Sequence, residues 1–383
     1  MRIAKHVRRL EGYVPGEQPK SKSVVKLNTN ENPYPPSPKC AEVLKRFDLD
    51  RLRRYPDPDC TALRETLAKL NGAKPEQVFV GNGSDEILAL SAKTFVEDDE
   101  TIGSLDPSYS LYKTLAAIRN VKWIGLEPPN DRTIEQSNNR TIEQSNNRTI
   151  EQSINRTIKQ SNLSLFLWTN PNAPTGEFAE PKEIAAFAKR FPGVVIVDEA
   201  YADFARTNCM ALATAKANRN VIVMRTFSKS YSLAGLRVGY CVGPKDLIDA
   251  LYKMKDSYNV DAIAQAVALA AAKDQRWMRA NVARVVKTRA ALTAALESRG
   301  WDVIPSESNF LFARPAGIKA ADLFDALRRR NIFVRYFKGP KTGDRLRITI
   351  GTDAQVKKLL KALDQLASPA PHLTSHVSRL TSK

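Results

Sequence analysis

The sequence predicts an α/β protein, with a mostly parallel sheet between helices and a second, smaller domain. Three observations carry that expectation. Short apolar runs of strand character alternate with helical stretches over the first 240 or so residues, a strongly helical region follows, and the chain then returns to alternating strands and helices. A chain of 383 residues is long enough for two domains and a sizeable core.

VFVGNG (78–83), VKWIGL (121–126), LSLFLWTN (163–170), GVVIVDEA (193–200), NVIVMRTFS (220–228) and RVGYCVG (237–243) read as buried strands. Their β-branched and apolar residues run almost without interruption, which suits a sheet covered on both faces. Helical segments at 60–70, 84–95, 108–119 and 180–190 separate them, the alternation expected where helices cross over between parallel strands. From about 245 to 298 the pattern is helical, with AIAQAVALAAAK and RVVKTRAALTAALES. WDVIPSESNFLFARP, a helix at 320–330, NIFVRYF and DRLRITIG then suggest a smaller α+β domain. The expected organisation is an N-terminal segment (1–45) joining the small domain, a large domain (46–250), and a connecting helix with the small domain (251–367). A Ser/Thr/Pro-rich tail (368–383) reads as disordered.

Residues 130–161 hold four tandem octapeptides, NDRTIEQS, NNRTIEQS, NNRTIEQS and INRTIKQS. Each unit usually offers a single isoleucine, too little to nucleate a core. The expectation is a surface insert, against a marginal edge strand or solenoid-like stack.

Composition narrows the chemistry. The four cysteines (Cys40, Cys60, Cys209, Cys241) form no CxxC pair, and the three histidines leave little material for a triad or a metal cage. No metal site is expected. No apolar run reaches the roughly 18–20 residues of a membrane helix, and the basic start lacks the apolar core of a secretory signal, so a cytoplasmic protein without membrane contact is expected. The net charge of +18 is dispersed and accompanied by no nucleic-acid-binding motif, which favours a basic solvated surface that attracts anionic small molecules.

Four motifs share one chemical logic. GNGSDE (81–86) ends a strand and opens a helix, whose N-terminal N–H groups form an anion site; alone, a plain strand-to-helix turn explains it equally. NPNAPTG (170–176) makes a stiff turn that can aim Asn172. In VIVDEAY (195–201), Asp198 ends a buried strand and calls for a cationic partner, with Tyr201 three residues on. TFSKSYSLAGLRVGY (226–240) sets Lys229 among small hydroxylated residues and ahead of Arg237. A lysine in a partly desolvated site beside a second cation titrates below its ordinary value of roughly 10.4 and can form an imine with a carbonyl cofactor.

Together with LNTNENPYPPSP (27–38), RYPDPDCTALRETLA (54–68), DPSYSLY (106–112), ESNFLF (307–312) and RLRITIGT (345–352), these motifs resemble the fold type I aminotransferases that use pyridoxal 5′-phosphate (PLP), and within them the histidinol-phosphate aminotransferases. The resemblance runs from about Leu27 to Leu366, interrupted by the octapeptides. It implies a seven-stranded, mostly parallel sheet in the large domain and a ping-pong amino transfer between a small amino donor and a 2-oxo acid. It implies Lys229 as the Schiff-base lysine, Asp198 at the pyridine nitrogen, Asn172 and Tyr201 at the phenolic oxygen, and Tyr109 on the ring face. Gly83, Ser84, Asp85, Thr226, Ser228 and Arg237 would hold the phosphate, and Tyr55 would reach the phosphate of a neighbouring subunit in a homodimer. Arg347 would take the substrate carboxylate and Arg335 the substrate phosphate, with Asn30 near the entrance. Aromatic or other amino-acid transamination, a phosphothreonine-type decarboxylase and a nucleic-acid-associated relative are the competing expectations.

Overall fold

The computed structural model describes residues 2–10, 12, 16–19, 23–127 and 160–367. The octapeptide region, apart from its last two residues, and the tail expected to be disordered lie outside the described residues.

The N-terminal segment contributes a two-residue strand, β1 (Val25–Lys26), and helix α1 (Pro38–Arg46), whose Ser37 cap accepts from the Lys39 N–H at 3.2 Å. The large sheet is then built from α2 (Thr61–Leu70), β2 (Val78–Gly81), α3 (Ser84–Thr94), β3 (Thr101–Leu105), α4 (Leu111–Arg119), β4 (Lys122–Leu126) and β5 (Leu163–Thr169). It continues through α5 (Pro181–Arg190), β6 (Val194–Asp198), α6 (Met210–Thr214), β7 (Val221–Thr226) and β8 (Gly239–Val242). The strand order is β2-β8-β7-β6-β5-β3-β4, and only β8 runs against the rest.

The seventh strand is Thr101–Leu105, which the residue-by-residue reading of the sequence passed over. It is buried along its whole length and lies between β5 and β4. Its centre is Gly103-Ser104, so the apolar density that marks its neighbours is missing. A bulkier residue at Gly103 would overlap Phe166 and Leu163, a Cβ there falling within 2.8 Å of both side chains.

Side chains alternate across the strands. Val195 and Val197 enter one core with Phe166 and Trp168, while Ile196 enters the other with Leu165 and Leu167. Burying each such aliphatic side chain contributes about 1.5–3 kcal/mol, and this two-sided burial is why the sequence runs are continuously apolar rather than alternating.

Helices α7 (Lys245–Met254), α8 (Ala262–Ala272) and the 23-residue α9 (Gln275–Glu297) follow. The small residues of α8, Ala264, Ala268, Ala271 and Ala272, pack into the core that holds α2 and the large sheet. Beyond α9 come β9 (Asp302–Ile304), β10 (Phe310–Arg314), α10 (Ala320–Arg329), β11 (Ile332–Phe333), β12 (Arg335–Tyr336), β13 (Leu346–Thr349) and α11 (Asp353–Ala367). Four of these strands form an antiparallel sheet in the order β12-β13-β10-β9, and β1 pairs in parallel with β11. A third core joins Val25 and Leu27 to Phe310, Ile332 and Ile348. No helix among the described residues is long and apolar enough to cross a membrane.

Candidate active site

A cleft of about 460 Å³ opens at the C-terminal ends of β5, β6 and β7 and is closed on its far side by residues of β12 and β13. The ends of parallel strands are where α/β sheets present ligand-binding groups. Among the residues singled out from the sequence, Asn30, Ser84, Asp85, Tyr109, Asp198, Tyr201, Thr226, Ser228, Lys229, Arg237, Arg335 and Arg347 all line it.

Asp198 and Glu199 show what strand alternation does with two adjacent acids. The Glu199 side chain is fully buried and ion-paired to Arg225 at 2.8 Å. Asp198 faces the cleft and makes no ion pair among the described residues. Instead Tyr112 donates to its Oδ2 at 2.8 Å and the Ala200 N–H to its Oδ1 at 3.1 Å. Burial pushes the Asp198 carboxyl up to about 6, against the opposing effect of those two bonds. The Tyr112 hydroxyl also meets Thr169 Oγ1 at 2.5 Å, and Thr169 meets Ser108 Oγ at 3.2 Å. Sequence reasoning missed Tyr112 and Thr169. The available signal was spacing, since Tyr112 follows Tyr109 by one helical turn and Thr169 ends the strand beside that of Asp198.

Lys229 is half-buried, its Nζ 3.4 Å from the Thr29 carbonyl oxygen and 5.7 Å from the centre of the Tyr201 ring. Burial lowers its ammonium to about 8. Arg347 and, more weakly, Arg237 act in the same direction, and Glu31 and Asp85 oppose them.

The corner beside Lys229 is rich in anion-binding groups. Helix α3 starts after Gly83 with no side-chain cap, and Gly83 has φ +83°, with the position of a Cβ only 2.6 Å from Arg237 Nη2. Glycine alone allows both the left-handed conformation and that close approach. Thr226 Oγ1 lies 2.9 Å from Ser228 Oγ, to which Arg237 Nη1 donates at 3.3 Å. Asp85, expected to act through its backbone, also uses its carboxylate, which pairs with Arg237 at 3.2 Å and accepts from Tyr109 at 3.4 Å.

Tyr201 sits edge-on to Phe310 with ring centres 5.1 Å apart and accepts from Asn30 Nδ2 at 3.0 Å. The Asn30 Oδ1 accepts from Thr349 Oγ1 at 3.0 Å. Asn30 thus grips Tyr201 from the wall of the cleft. The Asn172 amide is engaged within its own turn and the next loop: Nδ2 donates to Pro107 O at 3.0 Å and Thr175 Oγ1 at 3.1 Å, and Oδ1 accepts from Ser108 at 3.0 Å.

Arg335 on β12 and Arg347 on β13 are directly paired across the strands. Arg347 lies over the rings of Phe310 and Phe337, 5.3 and 5.2 Å from their centres, and donates to Asn28 O at 2.9 Å. Arg335 shares Phe337, at 5.1 Å. Tyr55 lies apart from the cleft, 80% exposed and stacked on Tyr258 at 4.3 Å.

The family model for aminotransferase class I and II matches residues 22–363, and the chain belongs to that family. Within it the chain is 41% identical over 367 residues to histidinol-phosphate aminotransferase 1 of Burkholderia pseudomallei (strain K96243), covering 94% of this chain and 97% of the relative. The histidinol-phosphate aminotransferase of Acetobacter pasteurianus is 40% identical over 361 residues, covering 93% and 95%. The solved histidinol-phosphate aminotransferase of Sinorhizobium meliloti, in complex with pyridoxal-5′-phosphate, superposes with a TM-score of 0.81 at 22% identity over 96% of this chain and 98% of that one. The L-threonine-O-3-phosphate decarboxylase of Porphyromonas gingivalis shares the fold at a TM-score of 0.73 and 23% identity, over 90% and 99%. The chain is a PLP-dependent transaminase of the histidinol-phosphate aminotransferase group.

The residues present fit that cofactor. A buried carboxylate without a cationic partner suits a protonated ring nitrogen, a helix start with a guanidinium and two hydroxyls suits a phosphate, and a lysine of lowered pKa suits a carbonyl.

Proposed function

We propose that this enzyme transfers an amino group between histidinol phosphate and 2-oxoglutarate, forming imidazole-acetol phosphate and glutamate. The observation that carries the reading is the meeting, in one cleft, of Lys229 with the paired arginines Arg335 and Arg347. The relatives at about 40% identity bear the same name for the activity.

In this reading Asp198 keeps the pyridine nitrogen charged, and the PLP ring, when bound, serves as the sink for electrons released at the substrate Cα. Ser84, Ser228, Thr226 and Arg237, with the backbone from Gly83 to Asp85, hold the cofactor phosphate. Tyr201 serves its phenolic oxygen, Asn172 joins it by exchanging one of its present amide bonds, to Pro107 O or Thr175 Oγ1, and Tyr109 covers a ring face. Lys229 holds the cofactor carbonyl and afterwards carries the proton that leaves the substrate Cα. An amine held near pH 8 by burial is deprotonated often enough to accept that proton and basic enough to return it. The guanidinium of Arg347 matches an α-carboxylate in a bidentate fork, and Arg335 adds the charge that a substrate phosphate or second carboxylate requires.

The enzyme acts as a cytoplasmic homodimer in this proposal. Leu49, Leu52, Tyr55, Met254 and Tyr258 are large, apolar and exposed on the described residues, and a second copy burying them would bring Tyr55 to the partner's cofactor phosphate.

The test is the visible absorption of the PLP-loaded enzyme during separate titrations with histidinol phosphate, glutamate and phenylalanine. Loss of the band at low histidinol phosphate, with a weaker response to phenylalanine, supports the assignment. A response to phenylalanine alone moves the activity to aromatic transamination, and release of CO₂ moves it to decarboxylation.

A further inference from the structure

We infer that Asn32 is a positioning residue for Lys229, acting through the main chain of the lysine loop. The inference rests on the reading of Lys229 as the cofactor lysine and deepens it.

A lysine side chain is a flexible four-carbon stem whose free rotation costs about 2 kcal/mol to suppress. Aiming its Nζ therefore requires that both the tip and the root be held. One short stretch, Thr29 to Asn32, does both from about 200 positions away in the sequence. The Thr29 carbonyl lies 3.4 Å from Lys229 Nζ. Asn32 Nδ2 donates to the Lys229 carbonyl at 3.1 Å and to the Ser230 carbonyl at 3.2 Å.

The Asn32 amide cannot be turned over without loss. Its Oδ1 accepts from the Tyr34 N–H at 3.1 Å, so a flipped amide would set donor against donor there and carbonyl against carbonyl at the lysine loop. The stretch carrying Asn32 is itself fixed. The Asn30 N–H donates to Thr349 Oγ1 at 3.0 Å, and Asn309 Nδ2 donates to the Asn30 carbonyl at 2.9 Å. On the other side, Ser230 Oγ donates to Asp203, which pairs with Arg225. The lysine loop is thus held between a strap from the N-terminal segment and a half-buried ion pair, and Asn32 is the strap side chain that joins the two.

The test compares N32A with N32D in the full-length protein. Asp preserves shape and the acceptor for Tyr34 N–H but turns an oxygen toward the two carbonyls. If Asn32 positions Lys229, kcat falls roughly tenfold in N32A, of the order expected for losing such a bond, KM changes less than about twofold, and N32D loses at least as much.

The second readout uses the protein without PLP. The pH midpoint for acylation of Lys229 by an amine-reactive ester, followed by peptide mass spectrometry, rises in N32A as the loop loosens toward water. The charged groups around Lys229 (Arg347, Glu31, Asp85, Arg237 and Asp198) are the same in wild type and N32A, so the shift reports position. N32D with wild-type kcat beside a defective N32A would show that Asn32 only builds the turn at Tyr34. An unchanged kcat and midpoint in N32A would likewise overturn the inference. Should N32A not fold, the isosteric N32D still decides through kcat. Failure of the wild type to develop a PLP absorption band would instead count against the cofactor reading and leave the labelling result intact.

Discussion

Arg335 and Arg347 face one another across the β12–β13 pair, with Phe337 within 5.2 Å of both guanidinium carbons. Like charges at directly opposed positions of an antiparallel pair destabilise it, so an anion placed between or above them relieves the fold as well as binding to it. Inorganic phosphate or glutamate is expected to raise the melting temperature of the wild type and to raise that of R335Q less.

The same pair sets affinity for substrate. R347K keeps the charge but loses the planar fork and its stacking on Phe310 and Phe337. The KM for glutamate should rise about 10–100-fold, as for loss of a charge-assisted bidentate contact, while the PLP band and its position stay as in wild type. Steady-state kinetics with both substrates check this.

Tyr112 offers a gentler probe of the ring-nitrogen site. Y112F removes the bond to Asp198 Oδ2, together with the contact to Thr169 Oγ1, and keeps the buried ring. Asp198 should then hold its proton to higher pH than its present value of about 6, and PLP should bind about 5–10-fold more weakly near neutral pH, the scale of one hydrogen bond to a charged group. Equilibrium titration of the unloaded protein with PLP measures the change.

Capture of PLP needs the neutral amine of Lys229. Since burial lowers that group to about 8, the initial capture rate should climb with pH and level off near that value, up to about tenfold per unit well below it. Stopped-flow absorbance after mixing unloaded enzyme with PLP reads the curve. A plateau only near pH 10 would mean that Lys229 is not desolvated.

Lys229 also bears on stability. Its folded-state pKa is lower than that of an ordinary lysine, so the folded state releases this proton more readily than the unfolded one. The associated stability is present above the unfolded value of 10.5 and lost as pH falls through about 8. K229M, which removes the charge, should therefore stabilise the protein without PLP by about 1–3 kcal/mol at pH 7, and by less as pH rises toward 10. Thermal melts at several pH values test the trend.

The parts of the site that were legible in the sequence are those where one residue does one chemical job at the end of an apolar run. Lys229, Asp198 and Arg237 stand out because a charge at the end of a buried strand demands a reason. What escaped was cooperative. Tyr112 reads as an ordinary aromatic in a helix until the fold sets it 2.8 Å from Asp198. Asn30 reads as a polar residue near an entrance until Thr349, more than 300 positions later, takes its carbonyl oxygen and leaves its amide to Tyr201. Strand Thr101–Leu105 escaped for a different reason: flanking side chains fill its space, so its own residues could stay small.

Among the described residues the large sheet ends at β4, which pairs there with β3 alone, and the chain resumes on the other side of β3 as β5. The link between β4 and β5 therefore departs from the outermost strand among the described residues, and the octapeptides fall within this link in the sequence. A run of near-identical short units is the kind of tract that lengthens or shortens by whole copies when a gene is replicated. A change in copy number is then a length polymorphism that adds or removes none of the residues paired in the seven strands.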